Sequence, residues 1–174
     1  LGQKPAESYY DIKYKDERLN KVIAVIGANG SGKTQFIRPL AFLSWFISSS
    51  YTQLKPDADI PYRPHILHVD ESSKVSMVFI VEEVEYKYEL ELFQNEVLNE
   101  ALYKKTSKFF SYLFNRERES LKDTFTYKNK DFDFSNKLAS KIKENASIIS
   151  AAHMNDSIEA KRFIHYFTNQ YSYN

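Results

Sequence analysis

Glycine is scarce in this chain. There are four in 174 residues, where average usage of roughly 7% would place about a dozen. They are Gly2, Gly27, Gly30 and Gly32, so three of the four fall within six residues. Cysteine is absent, which excludes a disulfide framework, a thiolate metal site and a cysteine nucleophile; a cytoplasmic location is the expectation. No stretch approaches the roughly 18 apolar residues of a membrane-spanning helix, and no signal-peptide pattern is read near the start. The chain opens on Leu rather than Met, so an earlier start is expected. A net charge of +1, from 24 Lys+Arg against 23 Asp+Glu, makes no overall case for nucleic acid or membrane.

What is present is a globular composition. The chain is 43% hydrophobic, with 13 Tyr and 13 Phe, which argues against global disorder, and its length suits one ordinary domain or slightly more. Residues 10–15 alternate Tyr10, Ile12 and Tyr14 with charged residues and read as a short edge strand. Residues 22–26, Val-Ile-Ala-Val-Ile, form a short β-branched run before a glycine and predict a buried strand central in a sheet. From Lys33 to about Ser49 the pattern is helical. Its apolar residues cover nearly all sides, which predicts a mostly buried helix, with Pro39 expected to kink it. Residues 48–64, with three serines and three prolines, read as a loop.

Further on, residues 75–81 and 84–92 read as a β-hairpin with period-two alternation. A third strand is predicted near 97–103, and weaker strands at 109–114 and 125–127. Residues 138–143 and 158–167 read as helices, the latter starting at Ser157. Charge is uneven. Residues 82–100 hold seven Glu against one Lys, and residues 101–145 hold eleven Lys/Arg against six acids. Two solvated faces, paired across strands, explain this; the functional alternative is a basic surface for nucleic acid.

One loop carries recognisable chemistry. Gly27-Ala28-Asn29-Gly30-Ser31-Gly32-Lys33-Thr34 fits G-x-x-x-x-G-K-[ST], between an apolar run and a long apolar helical pattern. Glycines admit backbone conformations closed to other residues, so successive N–H groups can converge on phosphate oxygens. A helix starting near Lys33 adds the positive end of its dipole. Lys33 is then expected to reach the β- and γ-phosphates of ATP, with Gln35 following it on the helix, and the Thr34 hydroxyl to ligate Mg²⁺. A degenerate loop that binds nucleotide without hydrolysis is the alternative.

Hydrolysis needs a carboxylate at the end of a neighbouring strand. The local candidate is Ile66-Leu67-His68-Val69-Asp70-Glu71, but His68 and three upstream prolines argue that Asp70 and Glu71 begin a turn instead. The catalytic residues are therefore unassigned. His65 and His68 have i, i+3 spacing without an evident third ligand. His153 and His165 read as surface or helix-packing residues. Asp131/Asp133 and Glu117/Glu119 read as solvated charge.

With Asn third and Gly fourth, the loop resembles that of the ABC-type ATPases of recombination-repair and chromosome maintenance. Its flanks, residues 22–26 leading in and Thr34-Gln35-Phe36-Ile37-Arg38-Pro39-Leu40-Ala41-Phe42-Leu43 leading out, resemble the bacterial AAA-family ATPases linked to abortive infection and phage defence. Those are related to the overcoming-lysogenization-defect nucleases. Residues 70–92 and 147–167 are similar too, the latter through Ala151-Ala152-His153-Met154-Asn155-Asp156. Pro39 departs from the family's usual helix former.

The resemblance implies an α/β P-loop NTPase fold, the N-terminal lobe of an ABC-type ATPase head. That lobe would comprise a strand–loop–helix core (1–50), an antiparallel β-rich segment (65–130) and a helical segment (134–168). It also implies ATP and Mg²⁺ as cofactors and a homodimer or higher oligomer of heads. An effector protein such as a nuclease, and nucleic acid, are implied as further partners. No glycine follows Gly32, so a glycine-containing signature loop is expected on a segment beyond this one. Rival readings are a DNA-handling repair ATPase and a non-hydrolysing nucleotide sensor.

Overall fold

The computed structural model describes residues 10–94, 96–119 and 124–170, so Gly2 and the first nine residues of the expected 1–50 core lie outside the described residues. The chain divides into two units, Leu1–Ile37 and Arg38–Asn174.

In the first unit, the alternation near Tyr10 gives strand β1 (Asp11–Tyr14), which pairs antiparallel with β2 (Glu17–Asn20). Lys15 takes a positive φ of 53° in the turn between them, and Arg18 reaches across to Asp11 at 2.9 Å. The expected central strand at residues 22–26 is not formed. That stretch is irregular, and Val22, Ile23 and Ile26 are 67%, 73% and 92% exposed. A strand needs a neighbour for its N–H and C=O groups, and no described strand pairs with this run. β-Branched composition supplies the preference for extended backbone but not the partner.

Helix α1 (Lys33–Gln53) begins in the first unit and continues through Pro39 into the second. It is one turn longer than expected, so residues 48–53 of the predicted loop are helical. It is also less buried than its composition implied. Leu43, Phe46, Ile47 and Ser50, spaced along one stripe, are buried, whereas Phe36, Ile37 and Leu40 in its first turns are exposed.

In the second unit, five strands run as an antiparallel meander in the order β3-β4-β5-β6-β7. They are β3 (Ser73–Val81), β4 (Val84–Phe93), β5 (Glu96–Lys105), β6 (Phe110–Glu119) and β7 (Thr124–Asn129). Each predicted strand is present. The two-residue turn Glu82-Glu83 has φ of 49° and 64°, the doubly left-handed geometry that matches hairpin twist. One sheet face turns inward through Met77, Phe79, Tyr86, Tyr88, Leu90, Leu102 and Phe114.

Against that face lie three helices: α2 (Asn136–Ala139), α3 (Ile148–Met154) and α4 (Ile158–Gln170). The helix expected at 138–143 is the short α2, ending four residues early. Ser157 caps α4 as expected, its hydroxyl accepting from the Ala160 N–H at 3.0 Å. Phe163 and Phe167 of α4 meet Phe79 edge-on at centroid distances of 6.0 and 5.0 Å. The buried stripe of α1 joins them: the Ser44 hydroxyl donates to the Phe167 carbonyl, and the Ser150 hydroxyl accepts from the Tyr51 N–H at 3.1 Å.

Among the described residues, no helix is long and apolar enough to cross a membrane.

Candidate functional site

Residues 27–35 are exposed apart from Lys33, which is partly buried. Their backbone combines a tight turn, two left-handed glycines and a helix start. A turn closes with the Ser31 N–H donating to the Ala28 carbonyl at 3.2 Å, and α1 then starts, Phe36 N–H donating to the Gly32 carbonyl at 3.2 Å. Gly30 and Gly32 hold φ of 80° and 87°, where an L side chain costs roughly 1–2 kcal/mol. At Gly27 an added Cβ would meet the Ser31 hydroxyl at 2.6 Å, a contact that rotation of that exposed side chain relieves.

Lys33 folds back over the loop, its Nζ donating to the carbonyls of Gly27 at 2.7 Å and Ala28 at 2.6 Å. The ammonium is thus held beside residues 27–32, and the start of α1 turns its free N–H groups to the same place. Thr34 and Gln35 follow in the exposed first turn. This donor set fits an anion of phosphate type: backbone N–H groups, one ammonium and the hydroxyls of Ser31 and Thr34, with no carboxylate in residues 27–35 to repel it.

The other sequence candidates separate. Residues 66–71 form turns, with the His68 N–H donating to His65 and the Glu71 N–H to His68. Ile66 and Leu67 are 83% and 78% exposed. Asp70 and Glu71 therefore stand in a turn before β3 and offer no strand-end carboxylate. His68 pairs with Glu71 at 2.9 Å. Asp133 caps α4, accepting from the Ser157 hydroxyl and from the Ile158 N–H at 2.9 Å, and Glu119 accepts from Thr126. The acidic and basic stretches pair, as in Lys105–Glu85 and Arg118–Glu96 at 3.4 Å. Glu159, next to Asp133, has its carboxyl pushed up to about 7, first by burial and then by that neighbouring charge.

Sequence reasoning missed one constellation. Glu100 is fully buried, and its carboxylate accepts from the Tyr88 hydroxyl at 2.8 Å, Arg116 at 2.8 Å, the Ser147 hydroxyl at 2.8 Å and the Ile148 N–H at 3.0 Å. Arg116 donates onward to the Ala146 carbonyl at 2.7 Å. Burial and the Glu100 charge push the Tyr88 hydroxyl well above its ordinary range. The only available signal was register: Glu100 and Arg116 occupy inward positions in line with Leu102 and Phe114.

A family model described as "AAA domain, putative AbiEii toxin, Type IV TA system" matches residues 22–174. No curated protein and no solved structure matches the chain.

Proposed function

The chain belongs to this AAA-domain family of nucleotide-binding ATPases associated with abortive-infection toxin systems, and from that premise we propose that residues 27–35 are its P-loop and bind the phosphates of ATP. The N–H groups around Gly27, Ala28, Asn29, Gly30, Ser31 and Gly32 line the cradle. Lys33 supplies the point charge for the β- and γ-phosphates, and Thr34 the hydroxyl for Mg²⁺, with Gln35 extending the first turn behind them. A bound magnesium ion would neutralise charge between the β- and γ-phosphates. In the reading we favour, the chain is the N-terminal lobe of an ABC-type ATPase head from an anti-phage defence protein. The intact protein then hydrolyses ATP, pairs its heads and couples closure to an effector.

The observation that carries this reading is the position of Lys33. It is the first residue of α1 and already turned onto the loop carbonyls of Gly27 and Ala28. Those two hydrogen bonds hold the ammonium where triphosphate oxygens can replace the carbonyls as acceptors. Calorimetric titration of Mg·ATP tests it. A charged hydrogen bond of about 1.5–3 kcal/mol predicts that Lys33→Ala weakens affinity by about tenfold or more. Equal affinities of the two proteins would sink the assignment.

A further inference from the structure

We propose that the sheet face opposite the helices binds single-stranded nucleic acid, through an aromatic platform at the β5–β6 end of the meander. Phe110 and Tyr112 of β6 lie opposite Lys105 and Tyr103 of β5. Alternation along β5 turns Tyr103 and Lys105 away from the core face that holds Leu102, and Phe110 and Tyr112, which share the parity of Phe114 on β6, reach that outer face through a register shift. A register shift beside Tyr103 brings Tyr103 and Tyr112 directly opposite each other, leaving Tyr112 41% exposed. At the hairpin tip Phe109 is 78% exposed. Its carbonyl closes the turn by accepting from the Thr106 N–H at 3.3 Å, but a ring that open to solvent adds little to the packing of this unit.

The cations around these rings are arranged on them. Lys87 lies over the Tyr103 ring at 4.4 Å, and Lys130 over the Tyr112 ring at 6.0 Å. Lys108 and Lys128 stand exposed beside them, and residues 101–116 contain no Asp or Glu. Glu89 and Glu85 pair with Lys87 and Lys105, and the Tyr103 hydroxyl donates to Glu89, so the β4 side of the patch is charge-balanced and its open side is that of Phe109 and Tyr112.

Flat aromatic rings spaced by ammonium groups match the two repeating parts of a single strand: bases that stack and phosphates that attract cations. A duplex keeps its bases stacked internally, so the rings would have nothing to receive. The exposed rings therefore favour an unpaired strand, while the lysines suit its phosphates. This surface lies in the second unit and does not depend on what the Gly27–Thr34 loop binds.

The test is fluorescence anisotropy of the full chain with labelled oligo(dT) of about 20 nucleotides, a length sufficient for several stacked bases, in a salt series. Binding that weakens with salt, together with at least about tenfold loss in the Phe109→Ala/Tyr112→Ala double variant, is the expected result. Lys108→Glu/Lys128→Glu should lower affinity and flatten the salt slope. All four sites are exposed, so unchanged circular dichroism is expected in each variant. The proposal is overturned by any of three outcomes: no oligo(dT) binding at low salt, affinity indifferent to the aromatic substitutions, or equal binding to a duplex of the same sequence. Loss in the double variant of self-association, or of binding to phosphatidylserine vesicles, without an effect on oligo(dT) would likewise overturn it.

Discussion

The two units of this molecule handle backbone freedom in opposite ways. Every glycine of the chain lies in the first unit, and none in the second. The first unit leaves its apolar residues exposed from Val22 to Ile37 and, apart from the hairpin residue Lys15, places its positive φ at Gly30 and Gly32. The second buries a continuous aromatic and aliphatic core. Where it needs left-handed backbone it uses Glu82, Glu83, Gln94 and Asp156, accepting the strain of non-glycine residues. One unit is shaped so that its backbone amides stay available; the other consumes its amides in a sheet and in helices. With the loop binding nucleotide as proposed, stability and ligand chemistry are housed apart, and mutations should separate them.

The largest separation comes from the second unit. Glu100→Ala strips the partner from Arg116, a side chain that is almost fully buried. Leaving a buried charge uncompensated costs about 3–5 kcal/mol, so urea denaturation should show the midpoint collapse or the second unit already unfolded. A midpoint near that of the parent protein would mean the network is dispensable.

Next is Gly32→Ala, at φ 87°. An exposed loop can shed strain of roughly 1–2 kcal/mol by relaxing out of this conformation, which should weaken Mg·ATP binding by about tenfold while leaving the melting temperature of the nucleotide-free core unchanged. A lowered melting temperature with intact nucleotide affinity would break the comparison.

The smallest expected effect is in the pH dependence. The Glu159 carboxyl, pushed up to about 7 by burial, holds its proton more tightly folded than unfolded. Its contribution to stability is therefore present below the ordinary carboxyl range near 4.5 and is lost as pH rises from there through about 7. Because the residue is partly exposed, the loss should be modest. Glu159→Gln should melt higher than the parent at pH 8 and equal to it near pH 4. A constant gap at both values would mean that Glu159 does not titrate differently in the fold.

Most of the second unit's sheet was legible because its signal is local. Period-two alternation in residues 84–92 and the acidic turn at 82–83 need no knowledge of the rest of the chain. The capping role of Ser157 was equally readable. What escaped depended on partners distant in sequence. Residues 22–26 carry strand composition, yet pairing is a property of two segments, and no second one is described. The exposure of Phe36 and Ile37 could not be read from a helix whose apolar residues wrap all round it. Glu100 looked like one more charge in an acidic stretch, because its neighbours Tyr88, Arg116 and Ser147 converge only after the meander forms. In the candidate site, the residue types of the loop were plain. The return of Lys33 onto its own carbonyls was not.

The hydrogen bond between Ser44 and Phe167 spans 123 positions of sequence, and that between Ser50 and Ser147 spans 97, whereas each strand of the meander pairs with the one made just before it. Closing such long loops is entropically slow compared with adding a neighbouring strand. During synthesis, α1 is therefore the first part of the core to appear and the last to be satisfied. The hydrogen bonds that tie Ser44, Ser50 and Tyr51 to the C-terminal helical segment can form only once that segment has been made.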